Sequence, residues 1–143
     1  MAYIAKQGMI ERGWEKELIQ LTDEVNKPAT TINDVTVERA CQDASAFIDS
    51  YVGKLYRLPL SVVPAVLPKF AADIARYYLH GKAAEKDGPI ERAYNEAHAW
   101  LKDVAKGLVG LDAEGVTPAQ AGGGSVRASA PGRVFTRDSL RDY

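Results

Sequence analysis

The chain has 143 residues, with a hydrophobic fraction of 46% and a charged fraction of 26%, which is the composition of one globular domain. Its net charge of −1 gives no general attraction to nucleic acid or to an acidic membrane surface. Cys41 has no second cysteine with which to form a disulfide, so we expect a reducing compartment such as a cytoplasm. No run of 18 apolar residues is present, and we therefore expect no membrane partner.

The N-terminal part of the sequence predicts short helices. Apolar residues recur at helical spacing in "AKQGMIERGWEKELIQLTD", with a break near Gly13. We expect one or two short helices that cover an open side of a bundle, followed by a linker around Pro28. The apolar side chains on these helices are Met9, Ile10, Trp14, Leu18, Ile19 and Leu21.

Three longer segments have the apolar spacing of amphipathic helices. Between the first two, the prolines of "RLPLSVVPAVLP" predict a rigid non-helical connection, and "HGKAAEKDGP" predicts a polar surface turn before the third. Together these elements predict an all-α fold, a small helical bundle of three long helices plus short N-terminal helices in residues 1–111. The expected bounds of the long helices are Asn33 to Leu55, Pro64 or Pro68 to Gly81, and Pro89 to Gly107 or Gly110.

Beyond residue 111 the composition changes to Gly, Ala, Pro and Ser, which predicts a flexible linker. The chain then ends in "GRVFTRDSLRDY". Residues 122–143 contain four arginines and two aspartates, a local charge of +2 that leaves −3 for the rest of the chain. We therefore expect residues 112–143 to form a linker and an extended C-terminal arm that docks on another subunit. The expected contact residues are Arg133, Val134, Phe135, Arg137, Leu140, Arg141 and Tyr143.

The sequence offers few residues for catalysis or metal binding. Only His80, His98 and Cys41 supply nitrogen or sulfur, which is too few for a typical metal site. His80 ends a predicted helix, where it can interact with terminal carbonyls, and Cys41 lies in an apolar stripe as a buried side chain. The sequence has no phosphate-binding glycine loop and no nucleophile elbow. We expect no enzymatic activity, no catalytic residue, no cofactor and no metal.

Two groups of side chains allow both a functional and a structural interpretation. Asp49 and Asp73 lie beside apolar stripes on consecutive helices, with Arg76 one turn from Asp73. Paired carboxylates can act as acid and base, but a structural ion-pair cluster of these three residues is favoured. An aromatic ligand box is the alternative to core and interface roles for a second group. This group is Tyr51, Tyr56, Tyr77, Tyr78, Tyr94, Trp14 and Trp100.

Four stretches, "ELIQLTD", "AFIDSYVGKLYRLPL", "DIARYYL" and "FTRDSLRDY", together resemble a family of Mu-like prophage proteins encoded among head and neck genes. The resemblance extends from about Tyr3 to Tyr143. The family is similar in size and helical order to the head-to-tail adaptor, or connector, proteins of long-tailed bacteriophages. The resemblance implies a subunit made in the host bacterial cytoplasm that assembles a ring, commonly twelvefold, at the neck of the virion. Its implied partners are further copies of itself, the portal protein, a stopper or tail terminator protein, and genomic DNA passing through the lumen without sequence specificity.

Three alternatives remain at this point. A stopper or tail-completion protein of the neck fits the same resemblance. A helical DNA-binding module would use the basic arm to bind phosphates, although the near-neutral net charge and the interspersed Asp138 and Asp142 argue against it. A small enzyme or regulatory domain would need a pocket among the tyrosines.

Overall fold

A computed structural model describes residues 1–111 of the protein, and residues 112–143, which include the predicted arm, lie outside the described residues. No strand occurs in the described part, so the all-α prediction is confirmed, with three long helices and two short N-terminal ones. The helices are α1 (Lys6–Ile10), α2 (Glu15–Thr22), α3 (Asp34–Val52), α4 (Val66–His80) and α5 (Pro89–Ala105), with a 3-10 turn at Gly81–Ala83.

The helices begin where local chemistry favours a start. Asn33 caps α3, because its side-chain oxygen accepts a hydrogen bond from the Thr36 backbone N–H at 3.2 Å. Pro89 occupies the first turn of α5, where a missing N–H costs no intrahelical hydrogen bond. Pro68 is tolerated for the same reason, because it lies within the first turn of α4. That helix begins at Val66, between the predicted starts at Pro64 and Pro68.

Glycine backbones in the left-handed region mark two of the breaks. Gly13 has φ +82° between α1 and α2, and Gly107 has φ +75° after α5, so both predicted interruptions are confirmed. The helix α3 ends at Val52, three residues earlier than the predicted Leu55. The chain turns there through Gly53, whose backbone N–H still bonds the Asp49 carbonyl at 2.9 Å.

The core lies where α3, α4 and α5 pack against one another, with α1 and α2 closing the remaining side. Burial of such side chains contributes about 1.5–3 kcal/mol each relative to exposure, which holds helices together that would be marginal in isolation. The largest fully buried side chains are Met9, Leu18, Val37, Ile48, Val52, Leu67, Ile74, Leu101 and Val104.

The residues that precede α1 lie along α3. The Tyr3 backbone N–H donates to Ser45 Oγ at 3.1 Å, and the Tyr3 hydroxyl donates to Asp49 Oδ1 at 2.6 Å. Tyr3 and Ile4 are both buried. These contacts fix the N-terminal segment along α3. Within residues 1–111, none of the helices has the length and hydropathy required to cross a bilayer.

Candidate functional site

Six aromatic side chains from the three long helices form a continuous group that we call the aromatic cluster. Residues four apart lie on one face of a helix, so α3 and α5 each supply a pair, and α4 supplies two neighbours. None of the six is fully buried or fully exposed. The aromatic cluster consists of Phe47, Tyr51, Tyr77, Tyr78, Tyr94 and His98.

Tyr94 on α5 is the centre of the cluster. Its ring stacks on Tyr77 of α4 at 4.2 Å between centroids and 16° between planes, and on Phe47 of α3 at 6.2 Å and 29°. It also contacts Tyr78 at 6.2 Å and His98 at 5.9 Å. Aromatic pairs of this geometry contribute about 0.5–1.5 kcal/mol beyond the burial of their area. The cluster therefore joins the three long helices while leaving part of each ring accessible.

The polar atoms of the cluster are arranged for neutral hydrogen bonding. The Tyr51 hydroxyl lies 2.8 Å from His98 Nε2. Burial lowers the pKa of His98, and the nearby charge of Lys102 lowers it further. A neutral imidazole nitrogen either accepts a hydrogen bond from the hydroxyl or donates one to it, according to its tautomer. Burial also raises the pKa of Tyr78 to about 12 and raises the pKa of Tyr94, so these phenols stay protonated at neutral pH. The cluster thus offers ring faces and hydroxyl groups, which suit contacts with another protein.

The structure divides the seven aromatic residues for which core and interface roles were favoured over a ligand box. Four of these tyrosines belong to the cluster, but three members of the group lie elsewhere. Tyr56 is buried, and its hydroxyl accepts a hydrogen bond from the Leu111 backbone N–H at 2.9 Å. Trp100 packs on Phe70 at 5.0 Å, and Trp14 lies against α4. Phe47 and His98 were not predicted as members, although each lies four residues from a tyrosine of the cluster, Tyr51 and Tyr94.

The predicted cluster of Asp49, Asp73 and Arg76 is not the arrangement found. Asp49 binds the Tyr3 hydroxyl and the N-terminal ammonium group of Met1. Asp73 lies 3.4 Å from Lys69, one turn away on α4. Its Oδ2 is buried without a hydrogen-bond partner among residues 1–111.

Arg76 instead binds Glu17 on α2. Its Nε and one terminal nitrogen each donate to a different oxygen of Glu17 at 2.7 Å, and its guanidinium lies 4.6 Å from the centre of the Trp14 ring. His80 Nε2 also contacts the Glu17 carboxylate, in place of the helix-end carbonyls expected from the sequence. Burial raises the pKa of Glu17, but the hydrogen bonds and charges of Arg76 and His80 outweigh it and lower the pKa overall. The segment before α1 supplies the partners of Asp49, and α2 supplies the partner of Arg76.

Asp23 organises the loop between α2 and α3. Its carboxylate accepts hydrogen bonds from the backbone N–H groups of Val25, Asn26, Thr30 and Thr31, and from the side chains of Asn26 and Thr31. These bonds hold the pKa of Asp23 well below its usual range. The loop borders a cavity of about 390 Å³. Because a carboxylate has about four lone-pair sites, all of them are already engaged and Asp23 is not free to bind a cation.

Cys41 is buried, with 4% of its surface exposed, and its Sγ lies 3.6 Å from Met9 Sδ. Burial raises the pKa of the Cys41 thiol to about 11, and the charge of Glu38 adds to this effect. A thiol with a raised pKa in an apolar environment is a poor nucleophile. In the described part of the chain, no three His, Cys, Asp or Glu side chains are grouped so that they could hold a metal ion.

A second surface, which we call the apolar end, consists of Leu58, Val62 and Leu108. They are 39%, 45% and 72% exposed. Leu58 and Val62 follow α3, and Leu108 follows α5. The two segments meet at the hydrogen bond between Tyr56 and Leu111, so the apolar end lies where the described chain finishes. Exposed apolar side chains at this end of the bundle are available for contact with another protein.

Comparison with known proteins agrees with the resemblance inferred from the sequence. The family described as "Bacteriophage Mu, Gp36" matches residues 3–128. The Mu-like prophage FluMu protein gp36 of Haemophilus influenzae is 36% identical over 112 residues, which cover 76% of this chain and 74% of that protein. Gene product J of Escherichia phage Mu is 33% identical over 106 residues, which cover 73% of this chain and 74% of that protein.

These matches confirm the predicted relationship to Mu-like phage proteins, and they support a structural or morphogenetic role in a phage. The family match includes all five helices, the aromatic cluster and the apolar end. The chain therefore belongs to the bacteriophage Mu Gp36 family.

Proposed function

We propose that the protein is a head-to-tail connector, or adaptor, subunit of the virion neck. Copies form a ring, dodecameric in the proposal, between the portal protein and the tail or stopper, and genomic DNA passes through the lumen. The observation that carries this proposal is the aromatic cluster on the bundle of a Mu-family phage protein. Tyrosine and histidine rings that are partly exposed suit protein interfaces, because each ring has an apolar face and a polar edge or hydroxyl.

A head-to-tail ring requires each copy to present two different surfaces, since such a contact does not pair a surface with itself. The aromatic cluster lies across α3, α4 and α5, and the apolar end lies beyond the C-termini of α3 and α5. The two surfaces also differ in chemistry, one being aromatic with hydroxyl groups and the other aliphatic. This pair of surfaces supports contacts with two different neighbours in a ring.

The C-terminal arm supplies a further contact between subunits in the proposal. Phe135, Leu140 and Tyr143 would each contribute about 1.5–3 kcal/mol on burial, less the cost of ordering the arm. One arm therefore binds weakly. Arms engaged together in a ring gain from their high effective concentration and stabilise the collar.

The role proposed is binding and not catalysis. The buried thiol of Cys41 has its pKa raised to about 11, and the phenols of Tyr78 and Tyr94 stay protonated. The net charge of −1 suits a lumen through which DNA slides without being bound tightly.

Negative-stain electron microscopy of the purified full-length protein, with and without its portal protein, tests the proposal. Rings with a central channel, alone or on the portal, are expected. Particles that stay monomeric in both samples contradict it. Rings that bind the tail terminator and not the portal would instead identify a stopper or tail-completion protein.

A further inference from the structure

The partly exposed rings of the aromatic cluster form a surface suited to cationic and aromatic side chains. The faces of Phe47, Tyr51 and Tyr94 come from two different helices and are held by stacking and by the hydrogen bond between Tyr51 and His98. The rings are therefore positioned before any partner arrives. Guanidinium groups are attracted to such faces by the negative electrostatic potential of the ring quadrupole.

This fold already places cations over aromatic rings. Arg76 lies 4.6 Å from the ring centre of Trp14, and Lys54 lies 5.2 Å from that of Tyr51, a member of the cluster. Lys54 is an exposed side chain on a flexible stem. An arginine, whose planar guanidinium stacks better on a ring, can displace it.

The chain outside the described residues starts beside Tyr56, in the segment that follows α3. Leu111 is held by Tyr56, which follows α3 five residues after Tyr51. From there, 21 residues (112–132) separate Leu111 from residues 133–143, which we call the arm tip. A glycine-rich chain of this length spans roughly 25 Å on average and about 70 Å when fully extended. The extended length exceeds that of α3, whose 19 residues span about 28 Å, so the arm tip can reach beyond its own bundle.

The composition of the arm tip complements the cluster. Arg133, Arg137 and Arg141 alternate with apolar and aromatic residues that include Phe135 and Tyr143. Both kinds of side chain pack on ring faces. A carboxylate is also present at the cluster, since exposed Asp43 lies one turn before Phe47 on α3 and contributes to the raised pKa of Tyr78.

From these observations we infer that the aromatic cluster is the docking site for the arm tip of a neighbouring copy of this chain. The inference rests on the proposed ring and names the surface that receives the arm. A groove on the portal is the competing receptor, and the experiment separates the two.

Photo-crosslinking of the full-length protein tests the inference. p-Benzoylphenylalanine replaces Phe135 in one preparation and Tyr143 in a second, so that the result does not depend on one position. Light and 15N-labelled copies are mixed, assembled and irradiated, and the crosslinked peptides are identified by mass spectrometry. We expect crosslinks between light and heavy copies at residues 47–51, 77–78 or 94–98. Crosslinks at other parts of the bundle, within single copies only, or to the portal only, overturn the inference.

Arginine variants of the arm tip provide a second measurement that requires no substitution in residues 1–111. The triple variant Arg133→Gln, Arg137→Gln, Arg141→Gln removes the charges of the arm tip. Loss of three ring contacts should reduce crosslinking to the cluster by about tenfold. Arg127→Gln, in the arm but outside its tip, is the matched control and should leave the yield unchanged. An equal loss in both variants argues against docking by the arm tip.

Rings are scored separately by electron microscopy. Rings without crosslinks at the cluster would refute the docking site and still support the proposed connector function. Crosslinks between copies at the cluster without rings would support the docking site and contradict the proposed connector ring.

Discussion

The carboxylate of Glu17 on α2 receives two hydrogen bonds from the guanidinium of Arg76 on α4, each 2.7 Å long. The two residues are 59 positions apart in the sequence. Because α2 has only eight residues, it is too short to be stable alone, and this pair is a specific attachment to the bundle. Arg76 also stacks on Trp14, the residue that precedes α2, and this contact strengthens the attachment.

Glu17→Gln should lower the free energy of unfolding by about 1.5–3 kcal/mol, because the partly buried guanidinium of Arg76 loses a charged acceptor. Urea denaturation followed by circular dichroism at pH 7 measures the change. The control is Lys6→Gln, which removes the exposed pair between Lys6 and Asp34. That variant should change stability by less than about 1 kcal/mol. Equal effects of the two substitutions would contradict the structural role of Glu17.

The same pair should make stability depend on pH in the acid range. Burial acts to raise the pKa of Glu17, but hydrogen bonds and charges from Arg76 and His80 lower it below 4.5 in the folded state. Since the folded pKa is depressed, the contribution is fully present above the unfolded value and is lost as pH falls through the folded value. The stability difference between the native protein and Glu17→Gln should therefore shrink below about pH 4.5. A difference that stays constant from pH 7 to pH 3 would falsify this assignment.

His98 should titrate below its ordinary pKa of 6.5, because burial and then the charge of Lys102 disfavour the imidazolium. Its contribution to stability is present above pH 6.5 and is lost as pH falls through the folded pKa. NMR titration of the imidazole signals measures the midpoint. Lys102→Met should raise the midpoint, whereas Lys106→Met, the matched charge removal beyond the end of α5, should leave it nearly unchanged. A midpoint above 6.5 in the native protein would be inconsistent with a partly buried, neutral His98.

Leu108→Asp should weaken ring assembly without unfolding the bundle. Leu108 is 72% exposed, so its replacement leaves no cavity, but it places a charge in the proposed apolar contact. Analytical ultracentrifugation and electron microscopy measure assembly, and circular dichroism measures folding. Val25→Asp, at a position 90% exposed in the loop after α2, is the matched control. If both variants assemble equally well, the apolar end is not a subunit contact.

The helices could be predicted because their signals are local. Asn33 accepts a hydrogen bond from a backbone group three residues away, and Gly13 adopts a φ that other residues rarely take. The start of α4 was harder to predict. Pro64 and Pro68 both disfavour helix in the residue before them, and a proline is nevertheless tolerated within the first turn.

The candidate site could be predicted only in part. The sequence indicated that Tyr51, Tyr77, Tyr78 and Tyr94 lie at helix interfaces, since helical spacing places them beside apolar stripes. It did not indicate that Tyr94 stacks on Tyr77, because that contact depends on how far α5 is shifted along α4. The expected grouping of Asp49 with Arg76 was wrong for the same reason. Asp49 binds Tyr3, which precedes α1, and Arg76 binds Glu17 on α2. The residue spacing within α3 and α4 contains no information about these partners.

The sequence by itself determined the all-α class, the helix order and the family, because periodicity, caps and turn residues act over a few neighbouring positions. Tertiary structure alone decided which charged and aromatic side chains meet. Tyr3 reaches Asp49 across 46 residues, and Glu17 reaches Arg76 across 59. Such pairings depend on the relative position and rotation of packed helices, which is set by the fit of the whole core and not by any local pattern.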